Sequence, residues 1–215
     1  MVTSGVELDI SAAILAGGRA RRMAGADKAA LIVGDARIID RQLGALADVA
    51  DDIRIVANDR SRYDRVEAPV VPDALPGAGA LGGIYTALLD AHHDRVIVLA
   101  CDLPFVTREL LTRLVLESRD EAADAVVPRT ARGLEPLCAV YRTRCAGALR
   151  ARIDRGALQI ASALEDLRVR ELGGQALAAY DDGSLFENVN TPHDYARARG
   201  RVELNEKPFE DRITE

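Results

Sequence analysis

Lys28 closes the stretch "LAGGRARRMAGADK", which begins where an apolar run gives way to two glycines. Between residues 19 and 28, Arg19, Arg21, Arg22 and Lys28 stand against one acid, Asp27, a local charge of 4 − 1 = +3 in a chain whose net charge is −6. Arginine offers a fork of donors to phosphate oxygens, and lysine offers a point charge. Gly17 and Gly18 let backbone amides come close to an anion. The chemistry this suits is the holding of a small polyanion, the alternative being a solvated basic loop. It is neither of the familiar glycine-rich phosphate motifs. A P-loop needs G-x-x-x-x-G-K-[ST], and no Ser or Thr follows Lys28. A dinucleotide fingerprint needs G-x-G-x-x-G, whereas Gly17 and Gly18 are adjacent and Gly25 lies seven residues further on.

Asp102 ends a second apolar run, "VIVLACDLPF". A carboxylate directly after a buried strand is costly unless it is paired or bound to a metal. Its position suits a Mg2+ ligand at a nucleotide site, since Mg2+ is often held by one or two carboxylates plus phosphate oxygens. It equally suits an Asp that caps the turn before Pro104. The segment "PGAGALGGIYTAL" (76–88) leads into a helix N-terminus able to receive an anion or a base edge. Asp73, just ahead of it, is placed for a ribose hydroxyl or a base, or for an ordinary turn. In "FENVNTPHDYARA" (186–198), Asn190 or Thr191 suits a helix cap, with Pro192 at the first helical position and Asp194 in the first turn. Asn188 and Asn190 flank Val189 and share a face if the segment is extended.

These residues need strands that end together. Buried strands are expected at 10–17, 52–58, 68–73, 95–102 and 123–128, with 135–142 a further candidate. Helical spacing covers 36–51, 79–93 and 107–120, the last capped by Thr107. The alternation predicts an α/β protein, a mainly parallel sheet with helices on both faces. Ligands in such sheets lie beyond the carboxyl ends of the strands, near the switch in strand order. The stretches after 10–17, 68–73 and 95–102 can therefore share one sheet edge. One domain over 1–202 is expected, followed by a polar, frayed tail over 203–215.

The bulk composition narrows the function classes. An acidic chain is a poor general nucleic-acid binder. The three cysteines, Cys101, Cys138 and Cys145, make neither a disulfide framework nor a C-x-x-C pair. They read as buried small apolar residues in a reducing compartment. The N-terminal "MVTSGVELDIS" has acids and no apolar core of a signal peptide, and no run reaches the roughly 18 apolar residues of a membrane span. A cytoplasmic protein with no membrane partner is expected. His92, His93 and His193 read as surface residues rather than catalytic ones.

The order of "LAGGRARRMAGADK", "PGAGALGG", "CDLPF", "EPLCAVYR" and "NVNTPHDYA" resembles that of the molybdenum cofactor guanylyltransferases, over about residues 10–200. The resemblance implies a Rossmann-like nucleotidyltransferase fold of three layers, α/β/α. It implies transfer of GMP from GTP to the terminal phosphate of molybdopterin, with release of pyrophosphate. Leu15, Ala16 and Gly17 would meet the nucleotide through the backbone, Gly18 would shape the turn, and Gly82 would belong to the same nucleotide site. Lys28, with Arg22, would hold phosphates; Asp73 would lie near the guanosine. Asp102 would bind Mg2+ and touch the phosphates, and Asn188 and Asn190 would sit near the metal or the pterin. Transient contacts with cofactor-synthesis proteins or apoenzymes are implied too. Ala24 departs from the family's usual glycine in "RMG", and the reach of Asn58 to the nucleotide stays open. The competing readings are a sister enzyme that uses CTP or acts on a sugar or alditol phosphate, and a non-catalytic cofactor carrier.

Overall fold

The apolar run before Gly17 forms β1 (Ile10–Leu15), the strand about which the fold is organised. The computed structural model describes residues 8–17 and 28–206, with side chains described through residue 202. Gly18, Arg22, Ala24 and the rest of the basic stretch before Lys28 lie outside the described residues, as does the expected tail beyond 206.

After β1 the chain forms β2 (Ile32–Val33), β3 (Ala36–Arg37), α1 (Ile38–Leu46), β4 (Asp52–Val56), β5 (Val70–Val71), α2 (Gly79–Asp90), β6 (Arg95–Ala100) and α3 (Arg108–Glu117). There follow β7 (Ala125–Thr130), β8 (Gly133–Leu134), β9 (Cys138–Arg142), α4 (Ala146–Asp154), α5 (Ile160–Leu164), β10 (Val169–Leu172), α6 (Gly174–Ala178) and α7 (Pro192–Glu206). The main sheet has eight strands in the order β10-β7-β9-β6-β1-β4-β5, with β8 paired to β7. β1 runs parallel to both neighbours, with Leu15 opposite Val56 of β4 and Ala100 of β6. β4–β5 and β7–β10 are also parallel, while β9 runs antiparallel between β6 and β7.

The period-2 alternation of the strands sorts their side chains onto two faces. Ile10, Ala12 and Ile14 of β1, with Ile97 and Leu99 of β6, pack against Ile39, Leu46, Leu110 and Leu114 of α1 and α3. Ala13, Val96 and Val98 point the other way, to Leu81, Ile84 and Leu88 of α2 and Leu149 of α4. The result is a three-layer α/β/α Rossmann-like fold with a mainly parallel sheet. A smaller cluster of Val33, Ile38, Val189 and Ala198 fastens α7 to the β2–β3 hairpin, where the Tyr195 hydroxyl donates to the Ile32 carbonyl at 2.9 Å.

Several boundaries differ from the sequence expectation. Residues 36–37 are not helical, because Gly34 at φ 68° turns the chain into the short β2–β3 pair first. α2 ends at Asp90 rather than 93, because the backbone N–H groups of His92 and His93 donate to the Ser11 hydroxyl oxygen at 3.1 and 3.0 Å. β7 continues past Pro128 to Thr130, since β8 folds back on it there. β9 starts at Cys138, with Glu135 held instead by its N–H to the Pro128 carbonyl at 2.9 Å. α7 runs to Glu206, past residue 202.

Candidate active site

The strand order reverses at β1, since the chain moves out through β4 to β5 and then returns to place β6 on the other side. That reversal opens a crevice at the carboxyl edge of the sheet. A cavity of about 600 Å³ lies there, a size suited to a nucleotide-sized ligand. Leu15, Ala16 and Gly17 after β1, Asn58 after β4, Asp73 after β5, and Cys101 and Asp102 after β6 all line it. The three strand ends expected to converge do share one edge.

The floor is built by the ladder running out. The Ala16 N–H donates to the Val56 carbonyl at 2.9 Å, and the Cys101 N–H to the Leu15 carbonyl at 3.1 Å. Ala16 therefore has its amide committed to the sheet, and Gly17 is the first residue beyond it. A Cβ at Gly17 would meet no described atom within 4 Å.

One wall is the start of α2. The "PGAG" turn needs glycine, for Gly77 and Gly79 have φ of 98° and 63°. The helix opens with no side-chain cap, and Gly79 and Ala80 line the cavity, so its N-terminal end faces a prospective anion or base. Gly83 lets α2 approach β1, since a Cβ there would stand 3.1 Å from a Leu15 methyl. Gly82 is not among the lining residues. Its missing Cβ makes room for Ala78, at 2.9 Å, and for the Leu75 carbonyl at 3.1 Å, so Gly82 shapes the loop from behind.

Asp73 makes the turn its sequence position suggests. Its Oδ1 accepts from the Leu75 N–H at 3.0 Å, a side-chain turn, and lies 3.1 Å from the Thr86 hydroxyl. It also lines the cavity. Asn58 accepts from the Asp73 N–H at 3.0 Å, which couples the ends of β4 and β5.

Lys28 and Asp102 supply the charge. The Lys28 ammonium is 3.2 Å from Asp102 Oδ2, with the side chains 20% and 18% exposed, so the pair is largely withdrawn from water. Lys28 also donates to the amide oxygen of Asn190. Asn190 arrives there because α7 is well anchored. The Thr191 hydroxyl oxygen accepts from the Asp194 N–H at 3.1 Å, and Asp194 accepts back from the Thr191 N–H at 2.9 Å, a reciprocal cap. Thr191, not Asn190, is the capping residue, which leaves the Asn190 side chain for Lys28. Val189 turns inward between the two asparagines and its N–H donates to the Asp102 carbonyl at 2.9 Å. Asn188 is exposed and does not line the cavity.

Arg62 is a lining residue that the sequence reading missed. A signal was present in "NDRSRY", a basic pair directly after β4, but nothing distinguished it from surface charge. Histidine is absent from the described lining. His93 is 2.8 Å from Asp51 and His92 is 3.6 Å from Asp52, at the amino edge of the sheet. The thiols of Cys138 and Cys145 are buried, and burial pushes that of Cys145 up to about 11, so both behave as small core residues.

The donors at the charged wall are oxygens, the Asp102 carboxylate with the Asn190 amide beside it. No group of three or more His, Cys, Asp or Glu placed to hold a metal ion by themselves occurs among the described residues. That fits a hard cation that takes one carboxylate here and completes its shell with phosphate oxygens and water. It does not fit a caged metal. No helix among the described residues is long and apolar enough to cross a membrane.

Comparison with known proteins bears on this arrangement. A family model described as the MobA-like NTP transferase domain matches residues 12–169. A molybdenum cofactor guanylyltransferase from Desulfosudis oleivorans is 33% identical over 194 residues, 90% of this chain and 96% of its own. The crystal structure of molybdopterin-guanine dinucleotide biosynthesis protein A from Archaeoglobus fulgidus is 30% identical, with a TM-score of 0.78 over 90% of this chain and 98% of its own. A Mycobacterium tuberculosis protein solved as a complex with manganese shares the fold, at 22% identity and a TM-score of 0.65 over 89% of this chain and 97% of its own.

Proposed function

We propose, from the premise that the chain belongs to the MobA-like NTP transferase family, that it transfers GMP from GTP to the terminal phosphate of molybdopterin. A phosphate oxygen of the pterin attacks the α-phosphorus of GTP, the bond from that phosphorus to the β-phosphate bridging oxygen breaks, and pyrophosphate leaves. The product is the guanine dinucleotide form of the cofactor. The observation that carries the reading is the meeting of Lys28, Asp102 and Asn190 at the edge of a strand-end cavity beside the open start of α2.

The attacking phosphate is ionised at neutral pH, so no proton has to be removed from it. A charged wall without a histidine base suits this reaction. Its demands are the alignment of two polyanions and the neutralisation of their charge. Lys28 supplies a cation that can pass from Asp102 to the phosphates as they enter. Gly17 and the N-terminal end of α2 supply backbone donors, with Arg22 added from the stretch before Lys28. Asp73 and Asn58 line the cavity after β5 and β4, on the other side of β1 from Asp102, and suit the nucleoside. Asn188 and Asn190 flank Val189, whose N–H holds the Asp102 carbonyl, and suit the second substrate.

The cation is Mg2+, held by Asp102, and when bound it withdraws charge from the phosphate oxygens. Release to cofactor-synthesis proteins or apoenzymes is by transient contact. Asp102→Ala tests the reading. The variant should keep its circular dichroism spectrum and lose Mg2+-dependent guanylyl transfer. A folded variant with near-normal rate would refute the metal role.

A further inference from the structure

Gln42 is a polar residue on the buried face of α1, 1% exposed, in a row otherwise held by Ile38, Ile39 and Leu46. Its Nε2 donates to two backbone carbonyls, those of Ala100 at 2.7 Å and Leu103 at 3.1 Å. Two carbonyl partners fix which end of the amide is nitrogen. The amide oxygen is then buried with no hydrogen-bond partner among the described residues. A buried orphan acceptor is unfavourable, and Leu or Met would avoid it. The side chain's return on that cost is the pair of carbonyls.

Those carbonyls lie on either side of Cys101 and Asp102, in the turn where β6 leaves the sheet. The rest of the turn is tied as well, through the Cys101 N–H to Leu15 and the Asp102 carbonyl to the Val189 N–H. Gln42 is the tie that comes from a helix side chain rather than from backbone. We infer that Gln42 is a positioning residue for Asp102: by clamping the turn at both ends it sets the direction in which the carboxylate meets a divalent cation and the nucleotide phosphates. The inference rests on the reading of Asp102 as the cation ligand.

Gln42→Met keeps volume and flexibility and removes the donor. Mn2+ binding in the presence of GTP, followed by electron paramagnetic resonance without any pterin, should weaken about tenfold or more, as for other residues that orient a metal ligand. GTP binding without metal should be unchanged, and raising the metal concentration should recover the lost kcat. A folded variant that binds Mn2+ with GTP as the parent does, and is merely less heat-stable, overturns the inference. The unaltered chain gives an answer that needs no variant. In NMR, the Gln42 carboxamide protons should be protected from solvent exchange and should shift on adding Mg2+ with GTP but not GTP alone. Failure to shift with Mg2+ and GTP overturns the inference too. Asp102→Asn separates the two levels. If it binds Mn2+ with GTP normally, the reading of Asp102 fails. If it loses that binding while Gln42→Met keeps it, only the role of Gln42 fails.

Discussion

Lys28 and Asp102 are largely hidden partners before any substrate arrives. Removing one partner of such a pair strands the other, so the pair holds the wall together as well as preparing it. Two consequences follow for Lys28→Ala. Guanylyl transfer should fall on the order of 10²-fold or more, as when a donor to developing charge is lost. Asp102 is then left without its ammonium, so Mg2+ should raise the thermal midpoint of Lys28→Ala more than that of the parent, by mass action on a site freed of competition. Differential scanning fluorimetry with and without Mg2+ reads the second effect. Equal shifts in the two proteins would mean that Lys28 and a cation do not compete for Asp102. This juxtaposition was only partly legible in the sequence. Strand-end position marked both residues as chemical, but 74 residues separate them. The Lys28–Asn190 contact spans 162 residues, and spacing alone cannot show it.

Elements settle at the other edge of the sheet what the site needs at this one. Asp124 stands just before β7 and gathers three strands. Its carboxylate takes the Arg168 guanidinium at 2.8 Å and the Arg144 guanidinium at 2.7 Å, while its carbonyl accepts from the Arg142 N–H at 2.9 Å. The Arg168 hydrogen bonds, against a smaller opposing effect of burial, hold this carboxyl well below the ordinary carboxylate range. A carboxyl depressed in the folded state contributes stability above its ordinary pKa of about 4, and that contribution is lost as pH falls through the folded value. Asp124→Asn should therefore unfold more easily than the parent at pH 7, by about 1–3 kcal/mol. The gap should narrow at pH 3. Urea unfolding at the two pH values checks this, and a gap independent of pH would exclude the charge as its cause. The elements themselves were largely readable. β1 and β6 are continuous apolar runs, and α3 has its cap at Thr107, which accepts from the Leu110 N–H at 3.3 Å. The boundaries that moved were decided by tertiary partners. Ser11 captures the amides after α2, and β8 folds back to lengthen β7. The antiparallel sense of β9 is likewise set by its neighbours, because a buried strand carries the same apolar pattern in either direction.

The whole molecule puts a nucleotide-sized cavity where its strand order reverses at β1. Asn58 and Asp73 reach it from β4 and β5 on one side of β1, and Asp102 from β6 on the other. α7 returns to the sheet edge from far along the chain and brings Asn190 to Lys28. Residues such as Gln42 and Arg62 escaped sequence reasoning because a buried glutamine and a surface arginine look the same in one dimension as in any other helix or loop. What defines the enzyme is the group it transfers and the acceptor it uses. It is tested most directly by incubating the protein with molybdopterin, Mg2+ and, separately, GTP or CTP, then measuring pyrophosphate and the mass of the pterin product. Stoichiometric pyrophosphate and a pterin heavier by a GMP moiety are expected with GTP, and neither with CTP. Pyrophosphate and a cytidylyl product with CTP, or GTP binding with no pyrophosphate released, would contradict it.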